Sequence, residues 1–133
     1  MAKILAVCTS EKKGVQKVNV SEGLLIENHG LQGDAHAGKW HRQVSLLSDS
    51  KIQAFNARGA NVAYGAFGEN LVADLDFGSM PVGTLLRAGE ALLEITQIGK
   101  ACHHGCAIFQ KMGDCIMPRE GVFARVLRGG TVK

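Results

Sequence analysis

At 133 residues the chain has the length of one domain and is long enough to bury a core without disulfide or metal staples. A composition of 46% hydrophobic and 20% charged residues excludes disorder, and a net charge of +3 from 15 basic and 12 acidic residues is too balanced for a general nucleic-acid or membrane-surface protein. Seventeen glycines against two prolines, spread singly or in short pairs, point to tight turns between short strands, so the expected fold class is mainly β, a barrel or sandwich with one or two short helices, as a single domain over residues 1–133.

The chain opens with Lys3 and a strand-like apolar run, Ile4 to Val7, too short for a signal peptide core or a membrane-spanning helix. Cys8 closes that run as a buried, inert thiol. A polar turn over Thr9 to Gly14 and a short alternating strand over Val15 to Val20 would complete an opening hairpin, and Leu24 to Ile26 offers a third strand. The stretch His29 to Gly38, HGLQGDAHAG, fits no regular element and reads as a functional loop. Asp34 and His36 stand one residue apart, so an extended backbone would project both to one side. Taken by themselves, they read as side chains that tie down their own turn.

Trp40, His41, Arg42 and Gln43 lead into a strand over Val44 to Leu47. Ser48 or Ser50 can cap a helix running to about Arg58, with Gln53 placed after Ser50 as in a capping box, Ile52 and Phe55 as its apolar stripe, and Gly59 as its stop. The run GAFGENL from Gly65 to Leu71 turns into a strand over Asn70 to Ala73, and Glu69 and Asn70 read as turn formers or site residues, with the residues alone favouring the first. MPVGTLLR (Met80 to Arg87) and ALLEITQI (Ala91 to Ile98), joined by Ala88-Gly89-Glu90, form a hairpin in which Glu94, Thr96 and Gln97 mark one wet face. Ala107 to Met112 is expected as a short helix and Val122 to Leu127 as a final strand or helical turn.

Three of the four cysteines, Cys102, Cys106 and Cys115, fall late in the chain with His103 and His104 beside the first, and Lys100, Arg119, Arg125 and Arg128 are near in sequence. This late clustering is unlike the spread framework of a secreted domain and fits a reducing cytoplasm. A thiol becomes a nucleophile or soft ligand as the thiolate, which nearby cations favour. Cys102 is the candidate working thiol, because it follows the strongest strand and is flanked by Lys100 and His103. Two other readings stay open: zinc or iron-sulfur ligation by Cys102, Cys106, Cys115 and a histidine, in a module acting through protein partners, and a thiol-disulfide switch.

Over nearly its whole length the sequence resembles the MOSC domain, the module named for the C-terminal part of molybdenum cofactor sulfurases, in its small stand-alone bacterial form. GLQGDAHAG, RQVSLL, GAFGENL, PVGTLLRAGEALLEITQIGKACH and MPREGVFARVLRGG carry the likeness in the family's order. The resemblance implies a β-barrel-like fold of strongly bent strands. It places the family's functional cysteine on Cys102, thought in the family to carry sulfur or to ligate molybdenum, the glycine-Asp-x-His motif on Gly33, Asp34 and His36, and the motif arginine on Arg42.

The implied cofactor is molybdopterin, whose phosphate, dithiolene and pterin edge ask for cations, one soft ligand and a few hydrogen-bonding side chains. Arg42, Lys100, Arg119 and Arg125 answer the first need, Cys102 the second, and Asp34, His36, Asn70 and His103 the third. The implied activity is that of a sulfurtransferase or a molybdenum-dependent oxidoreductase component. Larger relatives carry an aminotransferase-like domain with pyridoxal phosphate. No pyridoxal phosphate is expected here, so sulfur would come from a partner such as a cysteine desulfurase, or pass to a molybdoenzyme. Neither nucleic acid nor membrane is an expected partner.

Overall fold

The computed structural model describes residues 4–12, 16–99 and 121–132. Strands β1 (Ile4–Thr9), β2 (Val18–Asn19), β3 (Gly23–Ile26), β4 (Gly30–Leu31) and β5 (Val44–Ser48) precede the helix α1 (Asp49–Ala57). After it come β6 (Leu71–Ala73), a 3-10 turn (Phe77–Ser79), β7 (Leu85–Ala88), β8 (Ala91–Ile98), β9 (Val122–Arg128) and β10 (Gly130–Val132). The mainly β class with one short helix is as expected. The strands form a seven-stranded sheet in the order β2-β1-β6-β5-β9-β8-β7 and a three-stranded sheet β10-β3-β4, and among the described residues the larger sheet is open, not closed into a barrel.

Side-chain alternation in the central strands decides the layering. Val7 of β1, Val44 and Leu46 of β5, Leu71 and Ala73 of β6, and Val122, Ala124 and Val126 of β9 enter one apolar cluster. Their neighbours Ala6, Cys8, Leu47, Val72 and Phe123 enter a second. Since successive residues of a strand point to opposite faces, both faces of the large sheet are covered, which is why Ile4 to Cys8 and Leu71 to Ala73 read as unbroken apolar runs. Leu25, Leu31 and Val132 of the small sheet close the first face, and Ile52 and Phe55 of α1 close the second.

α1 also solves a topological problem. β5 and β6 run parallel, with Leu46 opposite Leu71 and Ser48 opposite Ala73, and a parallel pair needs a crossover connection that the helix provides. The helix starts at Ser48, but that hydroxyl makes no cap bond and instead accepts from the Phe77 N–H at 2.9 Å, while Gln53 donates to Asp49 at 3.2 Å, so the expected capping box does not form. Ser48 is 1% exposed, so its hydroxyl needs a partner within the fold, and the Phe77 N–H supplies one. Gly59 ends the helix at φ +100°, the left-handed conformation expected of it.

The opening hairpin is present as β1 paired antiparallel with β2, and the later hairpin as β7 paired with β8 across Gly89 and Glu90. The loop expected to hold no regular element contains β4, whose Leu31 pairs with Leu25. Val122 to Leu127 is a strand, and after Gly129 the chain continues into β10, which leaves the large sheet to pair with β3. The expected helix over Ala107 to Met112 lies outside the described residues.

Phe55 is 1% exposed and its ring meets the Phe67 ring at 5.6 Å between centroids. Phe55→Ala is expected to remove about 3–5 kcal/mol of stability, read as a lowered urea midpoint with an unchanged slope.

Candidate functional site

Two polar layers meet at the glycine-rich loop after β4. The deeper one is a knot around Lys17, whose side chain and that of Asp34 are both 0% exposed. The Lys17 ammonium donates to Asp34 Oδ1 at 2.6 Å and to Ser10 Oγ at 3.3 Å, and its Nζ lies 3.0 Å from His36 Nδ1. Asp34 Oδ1 also accepts the Ser10 N–H at 3.1 Å, and its Oδ2 accepts the His36 N–H at 3.1 Å. Asp34 therefore ties down its own turn, as its residue type implies, and also turns its carboxylate with His36 toward one buried cation.

Backbone geometry pins that cation. The Lys17 N–H donates to the Gly65 carbonyl at 2.9 Å. Gly65 sits at φ +95°, and a Cβ there would lie 2.2 Å from the Lys17 carbonyl oxygen, so only glycine admits the approach. Glu69, 0% exposed, closes the same turn by accepting the N–H groups of Gly65 at 2.9 Å and Phe67 at 3.0 Å. Asn70, 1% exposed, donates to the Cys8 carbonyl at 3.0 Å and accepts the Ser45 N–H at 2.9 Å, bracing β1 against β5.

The outer layer is a groove of about 480 Å³ whose lining includes Lys39, Trp40, His41, Glu94, Thr96 and Arg125. The Trp40 indole N–H donates to the His36 carbonyl at 2.8 Å, which joins the two layers. Arg42 packs its guanidinium 4.7 Å from the Trp40 ring centroid and 5.5 Å from that of Phe123, and its buried Nε has no hydrogen-bond partner among the described residues. Arg125 is exposed and pairs with its cross-strand neighbour Glu94 at 2.6 Å.

Thr96 donates to the His41 carbonyl, and His41 Nε2 lies 2.8 Å from Gln97 Oε1. Gln97 Nε2 donates in turn to the Gly99 carbonyl at 2.8 Å, and the Gly99 N–H donates to the Gly121 carbonyl at 2.6 Å. The groove wall is thus bonded to both ends of segment 100–120. Cys102, Lys100, His103 and Arg119 belong to that segment and lie outside the described residues.

Of the expected site residues within the described ones, Asp34 and His36 meet in the knot, Arg125 lines the groove, Arg42 packs against Trp40 of its wall, and Asn70 braces the scaffold. Reading the sequence missed Lys17 and Gln43, whereas Glu69, read there as a turn former, closes its own turn. Gln43 is 0% exposed, accepts the Val126 N–H at 2.9 Å and donates to Asn28 at 3.0 Å. Among the described residues, no three His, Cys, Asp or Glu side chains gather as a metal site. Cys8 is inert as expected: burial first, then the Glu69 charge, push its thiol up to about 12, against the opposing pull of Lys17.

A mainly β scaffold sets a groove lined in part by Lys39, His41 and Arg125 beside a buried polar knot, and comparison gives it a family. The model of the MOSC domain matches residues 33–133, and the chain belongs to that family. The family is associated with molybdenum cofactor binding and sulfur-related function. A search of the curated proteins returns no match.

Among solved structures, a crystal structure described as a hypothetical protein is 26% identical at a TM-score of 0.71, with 100% of this chain covering 64% of that one. YiiM from Geobacillus stearothermophilus is 19% identical at 0.74, covering 100% of this chain and 71% of its own. The YuaD protein from Bacillus subtilis is 18% identical at 0.74, covering 98% and 90%. The latter two share the fold, and this chain spans less than two thirds of the first.

Burial pushes the Glu69 carboxyl up to about 6 from a usual 4.5, against the N–H bonds and the Lys17 charge that favour its ionised form. For Asp34, burial also works upward, but the Lys17 ammonium and the Ser10 N–H outweigh it and hold the carboxyl below its usual 3.8. Between pH 4.5 and 6 the folded chain holds the Glu69 proton more tightly than the unfolded chain, so Glu69 makes stability fall as pH rises through that window, by about 2 kcal/mol. Asp34 acts oppositely: its contribution is present above pH 3.8 and is lost as pH falls through its lower folded value. Denaturant titrations at stepped pH are expected to show Glu69→Gln flattening the decline between pH 4.5 and 6.

Lys17→Met leaves the Asp34 charge buried alone and is expected to cost about 3–5 kcal/mol, of which adding Asp34→Asn restores a part in the same unfolding assay.

Proposed function

We propose that this chain binds a molybdopterin-type cofactor in the groove beside Trp40 and uses Cys102 as the thiol that carries sulfur to it or ligates its molybdenum. The observation that carries the reading is Arg42, a guanidinium held between two aromatic rings with a buried Nε that no described group satisfies. A buried donor without an acceptor costs about 1–3 kcal/mol, which an anionic oxygen would recover.

The groove suits the cofactor in three respects. Its volume of about 480 Å³ lies in the usual range for small-molecule sites. Lys39, His41 and Arg125 on its lining add positive or hydrogen-bonding groups for a phosphate, and Trp40 offers an aromatic surface for a pterin. Cys102 follows Gly99 by three residues in the sequence, and the Gly99 carbonyl is bonded to the groove wall through Gln97.

In this mechanism Arg42 and Arg125 fix the anionic part of the ligand, while the loop from Asp34 to Trp40 sets the orientation of the wall. The bound cofactor supplies a soft molybdenum centre at which sulfur is exchanged or a substrate reduced. As a carrier, the Cys102 thiolate attacks the outer sulfur of a persulfide donor. A new S–S bond forms on Cys102 as the donor's S–S bond breaks and the donor leaves as a thiolate, with no net oxidation. The donor is a partner such as a cysteine desulfurase, and a molybdoenzyme is the receiver.

Protein isolated natively from a molybdenum-replete host is expected to carry bound pterin, or an adduct of about 32 daltons on Cys102, the mass of one sulfur. Cys102→Ser is expected to keep the fold and lose the adduct or the metal, and equal retention by both proteins would overturn the assignment. Arg42→Ala is expected to weaken cofactor retention about tenfold or more, with Arg42→Lys restoring little, because an ammonium cannot reproduce the planar fork.

A further inference from the structure

The Lys17 ammonium has three N–H bonds and no lone pair, and three acceptors surround it: Asp34 Oδ1 at 2.6 Å, His36 Nδ1 at 3.0 Å and Ser10 Oγ at 3.3 Å. An imidazole nitrogen facing an ammonium must be the unprotonated one. Nδ1 of His36 therefore carries the lone pair, and its single ring proton sits on Nε2. The doubly protonated ring would set an N–H against the ammonium and is disfavoured by both charge and geometry. The His36 backbone is held as well, with its N–H on Asp34 Oδ2 at 3.1 Å and its carbonyl on the Trp40 indole at 2.8 Å, which fixes the point from which the ring reaches Lys17.

We propose that Lys17 is a positioning residue that locks His36 in its neutral, Nε2-protonated form, so that this loop presents a hydrogen-bond donor and never a proton acceptor. The partner of His36 Nε2 must then be an acceptor, such as an anionic or oxo oxygen, and His36 cannot be the base that deprotonates a thiol. The chain's reactive chemistry must draw its base from elsewhere. For its functional half the inference rests on the cofactor reading above, but its structural half does not.

Imidazole nitrogen NMR on the full chain at neutral pH separates the two halves. The His36 signals are assigned by their loss in His36→Asn. The wild type is expected to show one protonated Nε2 and an unprotonated Nδ1 whose shift is displaced by its bond to the ammonium, with that displacement lost in Lys17→Met. Should Lys17→Met not fold, Lys17→Met with Asp34→Asn removes the ion pair and serves in its place. An imidazolium, an Nδ1-protonated ring, or an Nδ1 shift indifferent to Lys17 would overturn the proposal.

With isolated molybdopterin cofactor as the probe, His36→Gln, which keeps a donor, is expected to retain binding. His36→Glu, an acceptor alone, is expected to lose about tenfold or more. The reverse order would also overturn the proposal. A wild type that fails to bind the probe while showing the expected ring signals would sink the cofactor reading and leave the role of Lys17 standing.

Discussion

A single ammonium buried between two strands of an opening hairpin and a glycine-rich loop sets the architecture of this protein. Removing a lysine and an aspartate from water costs several kcal/mol for each ion, which their attraction offsets only when the geometry is good and the other donors and acceptors are met. Here they are met: Lys17 places one N–H toward each of three acceptors, and Asp34 divides its oxygens between Lys17, Ser10 and His36. The pair is better understood as a device for conformation than for stability. It allows one arrangement of the loop, and from that arrangement the positions of Trp40 and the groove follow.

The scaffold around the knot is built to hold it still. Glu69 and Gly65 shape the turn on which the Lys17 backbone rests, Asn70 ties the end of β1 to the start of β5, and Gln43 links β9 to the turn at Asn28. These buried polar side chains each have their partners, which is the condition for a polar interior to rigidify a fold instead of weakening it. Arg42 departs from that rule. Among the described residues its buried Nε is without a partner, in a neighbourhood where the other polar groups named here are satisfied.

Much of the fold was legible in the sequence because both faces of the large sheet are buried. Leu71 to Ala73 is apolar without interruption and Val44 to Leu47 is broken only by Ser45, so both read as strands, and Ile52, Phe55 and Gly59 suffice to mark the helix. Pairing was not legible, since nothing local in Leu46 or Leu71 says that they lie side by side and parallel. Ser48 deceived for the same reason: its place before a helix implies a cap, yet its hydroxyl found a better partner in the distant Phe77 N–H. Lys17 was invisible because a lysine in a polar stretch normally belongs to solvent, and its partners are set by the meeting of loops far apart in the chain. Asp34 and His36 were legible as a spacing but not as a purpose. Arg125 could be named from its charge, while its pairing with Glu94 depended on the register of β8 and β9. The chemistry expected of Cys102 rests on its sequence motif and its family, since Cys102 lies outside the described residues.

The Gly99 to Gly121 hydrogen bond has an evolutionary reach of its own. By joining the last residue of one hairpin arm to the first of the next, it makes the sheet indifferent to what is strung between them, because the entropy of closing a loop grows only slowly with its length. The scaffold resembles a socket whose two contacts are fixed and whose plug can be exchanged. A lineage could lengthen, shorten or rewrite the cysteine-bearing segment without having to rediscover how to fold.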